Sequence, residues 1–188
     1  ECDFCTVHKF NGNNMRCHSP EYVAEAFELA KRWGANYIFL NDDIVNIPLK
    51  FAIEVCEQAA KVIPKVPKNG QFRLETAKFP ELLEALKKAR FENLCIGFES
   101  FDDDVLKGMQ KKAKGDQAIE AIKVLRKWGF NIHGMFIAGA AHDTLENIRK
   151  LPAFARKLGI STFQLMIVTP LPGAELMANL VAKSQQAL

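Results

Sequence analysis

The chain has 188 residues, of which 48% are hydrophobic and 25% charged, with 11 Gly and 8 Pro, so a disordered, collagenous or fibrous protein is excluded and one domain spanning residues 1–188 is expected. Twenty-five Lys and Arg against 22 Asp and Glu leave a net charge of +3, too slight to indicate a nucleic-acid partner. No run approaches the roughly 18 apolar residues of a membrane span, and the five cysteines, an odd number in a chain large enough to fold unaided, point to a reducing, cytoplasmic setting rather than a disulfide framework.

In chain order, Ser19-Pro20-Glu21 marks a helix start: a capping hydroxyl, a proline at the first turn and an acid. The predicted helices run over Ser19 to Trp33, Pro48 to Val62, Pro80 to Arg90, Lys114 to Trp128 and Thr144 to Leu158, the last opened by a capping box in Asp143-Thr144-Leu145-Glu146. The predicted strands are Tyr37 to Leu40, Phe72 to Thr76, Asn93 to Phe98, Asn131 to Ala138 and Thr162 to Val168; the last two read as apolar runs covered on both sides. The segment Val62 to Gly70, with Pro64 and Pro67, reads as a connection. A weak repeat links the pairs: a helix closes on basic residues and runs into an apolar strand, as in Lys31-Arg32-Trp33-Gly34, Lys88-Ala89-Arg90, Arg126-Lys127-Trp128-Gly129 and Arg156-Lys157-Leu158-Gly159. Glycine there suits a left-handed helix terminus, and the cations complement the helix dipole.

Alternating helices and strands predict a parallel sheet with right-handed crossovers and outer helices. A closed barrel of eight such units takes about 250 residues, so an incomplete TIM-type βα barrel is expected. No G-x-G-x-x-G follows a strand, which argues against a dinucleotide-binding sheet. In parallel α/β folds the reacting groups gather at the carboxyl ends of the strands, so the exits come first: Asn41-Asp42-Asp43, Glu99-Ser100, Gly139 to Asp143, and Thr169 to Gly173. Glu99 leaves an apolar run and needs a partner in a mostly buried mouth. At the other end of the chain, Cys2-Asp3-Phe4-Cys5 sets two thiols where one metal centre can take both. With Cys17 and His18 the pair could instead hold a structural zinc, in a non-redox ligand-binding module. Cys17, Cys56 and Cys95 read as inert thiols, His133 and His142 as structural histidines, Lys111, Lys112 and Lys114 as a solvated loop, and Tyr22, Phe27, Leu29 and Trp33 as packing residues.

Together these features resemble the core of the radical S-adenosylmethionine superfamily, closest to its cobalamin-binding branch. Cys2, Phe4 and Cys5 match the second half of the cluster motif C-x-x-x-C-x-aromatic-C. Arg16 to Glu21 resembles R-x-x-S/T-P-E, Phe39 to Asp43 resembles F-x-x-D-D, and Ile96 to Ser100 resembles I-G-I-E-S. Gly134 to Gly139 resembles G-x-F-I-x-G, and Pro170 to Ala174 resembles P-x-P-G-T.

The resemblance implies an enzyme that reductively cleaves S-adenosylmethionine at a [4Fe-4S] cluster, giving a 5′-deoxyadenosyl radical for hydrogen abstraction or methyl transfer on a small molecule. It implies Cys2 and Cys5 as cluster ligands, Phe4 beside the adenine, Asn41, Asp42 and Asp43 at the methionyl ammonium, Glu99 and Ser100 at the ribose and carboxylate, and Gly139 against the adenine. It further implies a flavodoxin or ferredoxin as electron donor, and cobalamin in the full-length protein. Relatives carry F-P-G-E/D-T where this chain has Ala140-Ala141-His142-Asp143-Thr144, and a helix-ending glycine where it has Arg90. The first cysteine of the motif and the first strand of the barrel precede Glu1 in that pattern, so these 188 residues alone are expected to be inactive.

Overall fold

The computed structural model describes residues 3–12, 14–46, 48–110 and 115–186. The helices are α1 (Val7–Asn11), α2 (Pro20–Arg32), α3 (Leu49–Val62), α4 (Pro80–Lys88), α5 (Asp103–Gly108), α6 (Gly115–Lys127), α7 (Leu145–Lys157) and α8 (Glu175–Gln186). The strands are β1 (Ile38–Leu40), β2 (Lys68–Phe72), β3 (Phe91–Glu99), β4 (Asn131–Ala138) and β5 (Thr162–Ile167). The strands form one five-stranded sheet in the order β1-β2-β3-β4-β5, and every pairing is parallel. Sequential parallel strands joined by helices, with a single open sheet, give the expected incomplete βα barrel.

Local signals account for most element ends. The Ser19 side chain accepts from the Tyr22 amide at 3.2 Å and so caps α2, with Pro20 in the first turn. Gly34, Gly129 and Gly159 end their helices at φ of 71°, 77° and 76°. Arg90 holds the equivalent place at φ 61° without being glycine, and its guanidinium is engaged by Glu92 and by the Lys65 carbonyl. At α7 the cap is Thr144, whose hydroxyl accepts from the Asn147 amide at 3.1 Å, while Glu146 pairs with Lys150; the expected box on Asp143 and Glu146 does not form.

Helix-side residues build the core. Leu94, Ile96, Phe98, Ile132 and Phe136 pack with Leu82, Leu83 and Leu86 of α4 and Ile122 and Leu125 of α6, all at most 2% exposed. Burying a leucine- or phenylalanine-sized side chain contributes about 1.5–3 kcal/mol. Register places the remaining strand residues on the other face in three rows: Asn69, Asn93 and Asn131; Gln71, Cys95, His133 and Thr162; then Gly97, Met135 and Gln164. That face is rich in amides and half-open. His133 Nδ1 lies 2.9 Å from the Thr162 hydroxyl, the structural engagement expected of that histidine.

Three expectations are corrected. The second strand is Lys68–Phe72, not Phe72 to Thr76, and Leu74–Lys78 is a 3₁₀ turn. The strand escapes detection because its inward residues are amides and, of its helix-side residues Lys68, Gly70 and Phe72, only the last is apolar and bulky, Gly70 being pressed so close to Val45 that a Cβ would approach its methyl to 2.8 Å. Strand β5, expected to be covered on both sides, is exposed at every position, because among the described residues only β4 pairs with it. Of the four expected packing residues of α2, Phe27 is buried, whereas Tyr22 and Trp33 are 56% and 79% exposed. Helices α1, α5 and α8 were not expected. The basic loop at Lys111, Lys112 and Lys114 lies outside the described residues.

Lys68 is fully buried, and its ammonium donates to the carbonyls of Ile63 at 2.9 Å and Val66 at 2.7 Å, tying the end of α3 to β2. Burial, reinforced by the charge of Arg90, pulls this group down to about 8. Between pH 8 and the ordinary lysine value, the unfolded chain therefore holds more protons than the folded one, so rising pH favours the fold through this residue. Buried Cys56, pushed up to about 12 by desolvation, acts in the opposite direction above its ordinary value, so the parent must be read against a Lys68→Met variant. The urea midpoint of the parent relative to that variant should climb from pH 7.5 to 10. A Gly115→Ala change should destabilise by about 1–3 kcal/mol in the same assay, because the added Cβ meets the Phe101 carbonyl oxygen at 2.6 Å.

Candidate active site

The segment that carries Cys5 lies over the carboxyl end of the sheet. Phe4 packs against a small buried cluster of Val105 in α5, Met109 at its C-terminal end and Ile137 near the end of β4, which Ala140 and Val168 also cover. Cys5 is a half-buried free thiol beside it. One Asp3 carboxylate oxygen is buried without a hydrogen-bond partner among the described residues. Burial raises its carboxyl, the Phe4 amide offsets part of this, and Glu175 raises it further. Cys2 lies outside the described residues.

Glu99 ends β3 at φ 60°, where the register against β4 shifts. Strain at a strand end of this kind is costly for a non-glycine residue and concentrates at functional positions. Glu99 and Ser100 line a cavity of about 210 Å³ with Ile137, Asp143, Lys150 and Phe154. Ile137 thus touches both the Phe4 nest and the Glu99 cavity. The Ser100 hydroxyl accepts from the Asp102 amide at 3.0 Å, which leaves its proton to donate. A second cavity, of about 370 Å³ between the 3₁₀ turn and α6, is lined by none of the candidate residues.

Gly139 turns out of β4 at φ 82°, and its amide donates to Asp143 Oδ2 at 2.8 Å. Asp143 Oδ1 also accepts from the Thr144 amide at 2.9 Å. The carboxylate therefore closes the Ala140-Ala141-His142 turn that lacks the proline and glycine of the family pattern. A Cβ built on Gly139 comes no nearer than 3.7 Å to Val168, so this position keeps the backbone low beside an open mouth.

Asn41, Asp42 and Asp43 follow β1 at the same end of the sheet and are exposed. The loop behind them is anchored by a residue that sequence reasoning missed: Asn46, 4% exposed, accepts from the Arg73 amide at 2.9 Å, and the Val45 amide donates to Gln71 O at 2.8 Å. A polar residue after a strand exit is a common loop signal, and only the fold shows it buried. The structure thus gathers Phe4, Cys5, Glu99, Ser100 and Gly139 around the β3, β4 and β5 exits and sets Asn41 to Asp43 further along the same rim.

The zinc arrangement gains no support. Cys17 is exposed, the His18 ring stacks on Tyr22 with centroids 4.3 Å apart, and among the described residues no three His, Cys, Asp or Glu side chains gather as a metal site.

The Radical SAM superfamily profile matches residues 1–155. An uncharacterized methyltransferase of Pyrococcus horikoshii is 28% identical over 184 residues, covering 97% of this chain and 40% of the relative. Bacteriochlorophyllide d C-12(1)-methyltransferase of Chlorobaculum tepidum is 29% identical over 177 residues, covering 92% of this chain and 38% of the relative. The chain thus spans about two-fifths of the length of these curated relatives. In structure, the radical S-adenosylmethionine methyltransferase TsrM from Kitasatospora setae, solved with cobalamin and a [4Fe-4S] cluster bound, superposes at a TM-score of 0.85 and 12% identity, over 97% of this chain and 37% of that one. A profile matched across most of the length, on a partial βα barrel with the thiol loop over its carboxyl rim, places this chain in the radical SAM superfamily.

Proposed function

We propose that this chain is the catalytic core of a radical S-adenosylmethionine enzyme, acting by hydrogen abstraction or methyl transfer on a small molecule. The observation that carries the reading is the seating of Phe4 on the cluster that contains Ile137, which brings the neighbouring residue Cys5 to the rim where Glu99 and Ile137 line a cavity. The donor set fits a cluster: a half-buried free thiol next to an apolar nest, with a second thiol three residues before it in Cys2 and the family's remaining thiolate upstream of Glu1. When bound, the cluster supplies the electron that splits S-adenosylmethionine into methionine and a 5′-deoxyadenosyl radical.

The chain's own residues hold and shield. Cys2 and Cys5 ligate iron. Asp42 and Asp43 are carboxylates for the methionyl ammonium, the natural electrostatic partner, and Asn41 adds an amide. Glu99 accepts from ribose hydroxyls, and the Ser100 hydroxyl donates to the carboxylate. The Gly139 amide is already taken by Asp143, so this residue contributes close approach to the adenine rather than a hydrogen bond. Phe4, Val105, Met109, Ile137 and Val168 keep the mouth apolar, which excludes water from a reactive centre.

No helix among the described residues is long and apolar enough to cross a membrane. Reduced thiols suit a cytoplasmic protein that takes its electron from a flavodoxin or ferredoxin. The full-length protein binds cobalamin in this reading, and no residue described here is assigned to it.

Anaerobic reconstitution tests the reading. The protein with its upstream residues should take up iron and absorb near about 400 nm, and should release 5′-deoxyadenosine on reduction with S-adenosylmethionine. A Cys5→Ala variant should lose at least about tenfold in bound iron, while Glu99→Gln should keep the iron and weaken S-adenosylmethionine binding about tenfold, the value of roughly one charge-assisted hydrogen bond. Tightly held zinc and no iron in the reconstituted parent would reject the proposal.

A further inference from the structure

The two ends of the described chain meet at the thiol loop. The backbone carbonyl of Asp3 accepts from the Leu176 amide at 2.9 Å, joining the residue between the two N-terminal cysteines to the first turn of α8. Gly173, at φ 88°, runs beside Lys9 of α1, whose Cγ and Cβ lie 3.9 and 4.0 Å from the place a Cβ would occupy. Ala174 is 2% exposed, and Glu175 accepts from the Gln110 side chain at 3.2 Å, linking this corner to the end of α5. These residues follow the span of the family profile, which ends at residue 155, and include the Gly173 and Ala174 of the family-like Pro170 to Ala174 run.

We infer that the turn at Pro172–Gly173 and the start of α8 form a clasp that positions the cysteine loop, with Gly173 and Leu176 as positioning residues. A short segment of polar residues has little core of its own to hold it. Phe4 fixes one side of it through a single ring, and one such contact does not by itself set the orientation of the backbone at Asp3. A hydrogen bond to the Asp3 carbonyl, between the two thiols, supplies the second point that a fixed orientation requires. The donor is a first-turn amide with no partner inside its own helix, so the contact satisfies both ends. Gly173 is the residue that aims it, because the left-handed turn there is inexpensive only without a Cβ. The significance of the clasp for iron rests on the reading of Cys5 as a cluster ligand; its existence does not.

A proline tolerates the first turn of a helix but has no N–H, so Leu176→Pro removes the donor, while Leu176→Ala shortens the side chain and keeps it. In the iron-free 188-residue chain, hydrogen exchange of residues 3–10 should accelerate about fivefold in Leu176→Pro, the equivalent of one ordinary hydrogen bond, and stay at the parent rate in Leu176→Ala. Gly173→Ala, which strains the turn without touching α8, should accelerate the same amides at least twofold, and it decides the matter if Leu176→Pro fails to fold by circular dichroism. Parent-like exchange in Leu176→Pro, or in Gly173→Ala where that decides, overturns the clasp, whatever the iron result. In protein reconstituted anaerobically with its upstream residues, Leu176→Pro should also shorten cluster lifetime several-fold and alter the electron paramagnetic resonance line shape of the reduced cluster, which Leu176→Ala should not. Faster exchange with an unchanged line shape and lifetime would keep the clasp and refute its role toward the cluster. A parent that binds no iron would refute the role likewise, and with it the enzymatic reading, leaving the exchange result to stand by itself.

Discussion

The packing of Phe4 on the buried cluster of Val105, Met109 and Ile137 joins two parts of the chain that would otherwise be unrelated: a short N-terminal segment with little secondary structure and the carboxyl rim of a parallel sheet. Everything functional in the account depends on that seating. It brings Cys5 to the β4 and β5 exits, and Ile137 passes from this nest into the wall of the cavity that Glu99 and Ser100 line. The nest is small, three buried residues with partly buried neighbours, so the rim beneath it has to be held by something larger. That support is the main core, in which aromatic rings from β3 and β4 stack, Phe98 on Phe136 at 5.5 Å, with Phe101 and Phe154 completing the group on the helix side.

The sheet divides its labour between faces. Leucines, isoleucines and phenylalanines face the helices and supply stability, whereas the opposite face carries asparagines, glutamines, Cys95 and His133. Amides on the inner face of a parallel sheet lose the burial that the other face gains, and this explains why β2 is both short and polar. Among the described residues Lys68 is the buried cation on the helix side; it is tolerated because its ammonium donates to the Ile63 and Val66 carbonyls just after α3, while burial and the charge of Arg90 lower its proton affinity.

Much of this was legible in the sequence, and the reasons differ by element. β3 and β4 were found because their helix-side residues are uniformly apolar and their exits end in Glu99 and Gly139. The five expected helices formed, four of them closing on a basic pair that runs into a strand and three of these followed by glycine, whereas α1, α5 and α8 lack that pattern. Lys68–Phe72 was missed because a strand of Lys-Asn-Gly-Gln-Phe shows no apolar run, and its single lysine reads as solvated when it is in fact enclosed. The exposure of β5 could not be read either, since an apolar strand looks the same whether it is central or at an edge. At the site, spacing pointed to Cys5 and to the strand exits at Glu99, Ser100 and Gly139, the family resemblance added Phe4, and the fold brought them to one rim. What no pattern could announce were contacts between distant segments: Asn46 bonded to Arg73, Asp143 closing the turn at Gly139, and Leu176 reaching Asp3.

The central claim is that the thiol loop and the acidic rim serve one ligand. Electron–nuclear double resonance on the reduced cluster, with S-adenosylmethionine labelled with ¹⁵N at its amine, tests this most directly. The account predicts a hyperfine coupling from the labelled nitrogen, held beside the cluster by the acidic rim, that weakens when Asp42 and Asp43 are both changed to Asn. A reduced cluster that shows no such coupling in the presence of saturating S-adenosylmethionine would contradict it.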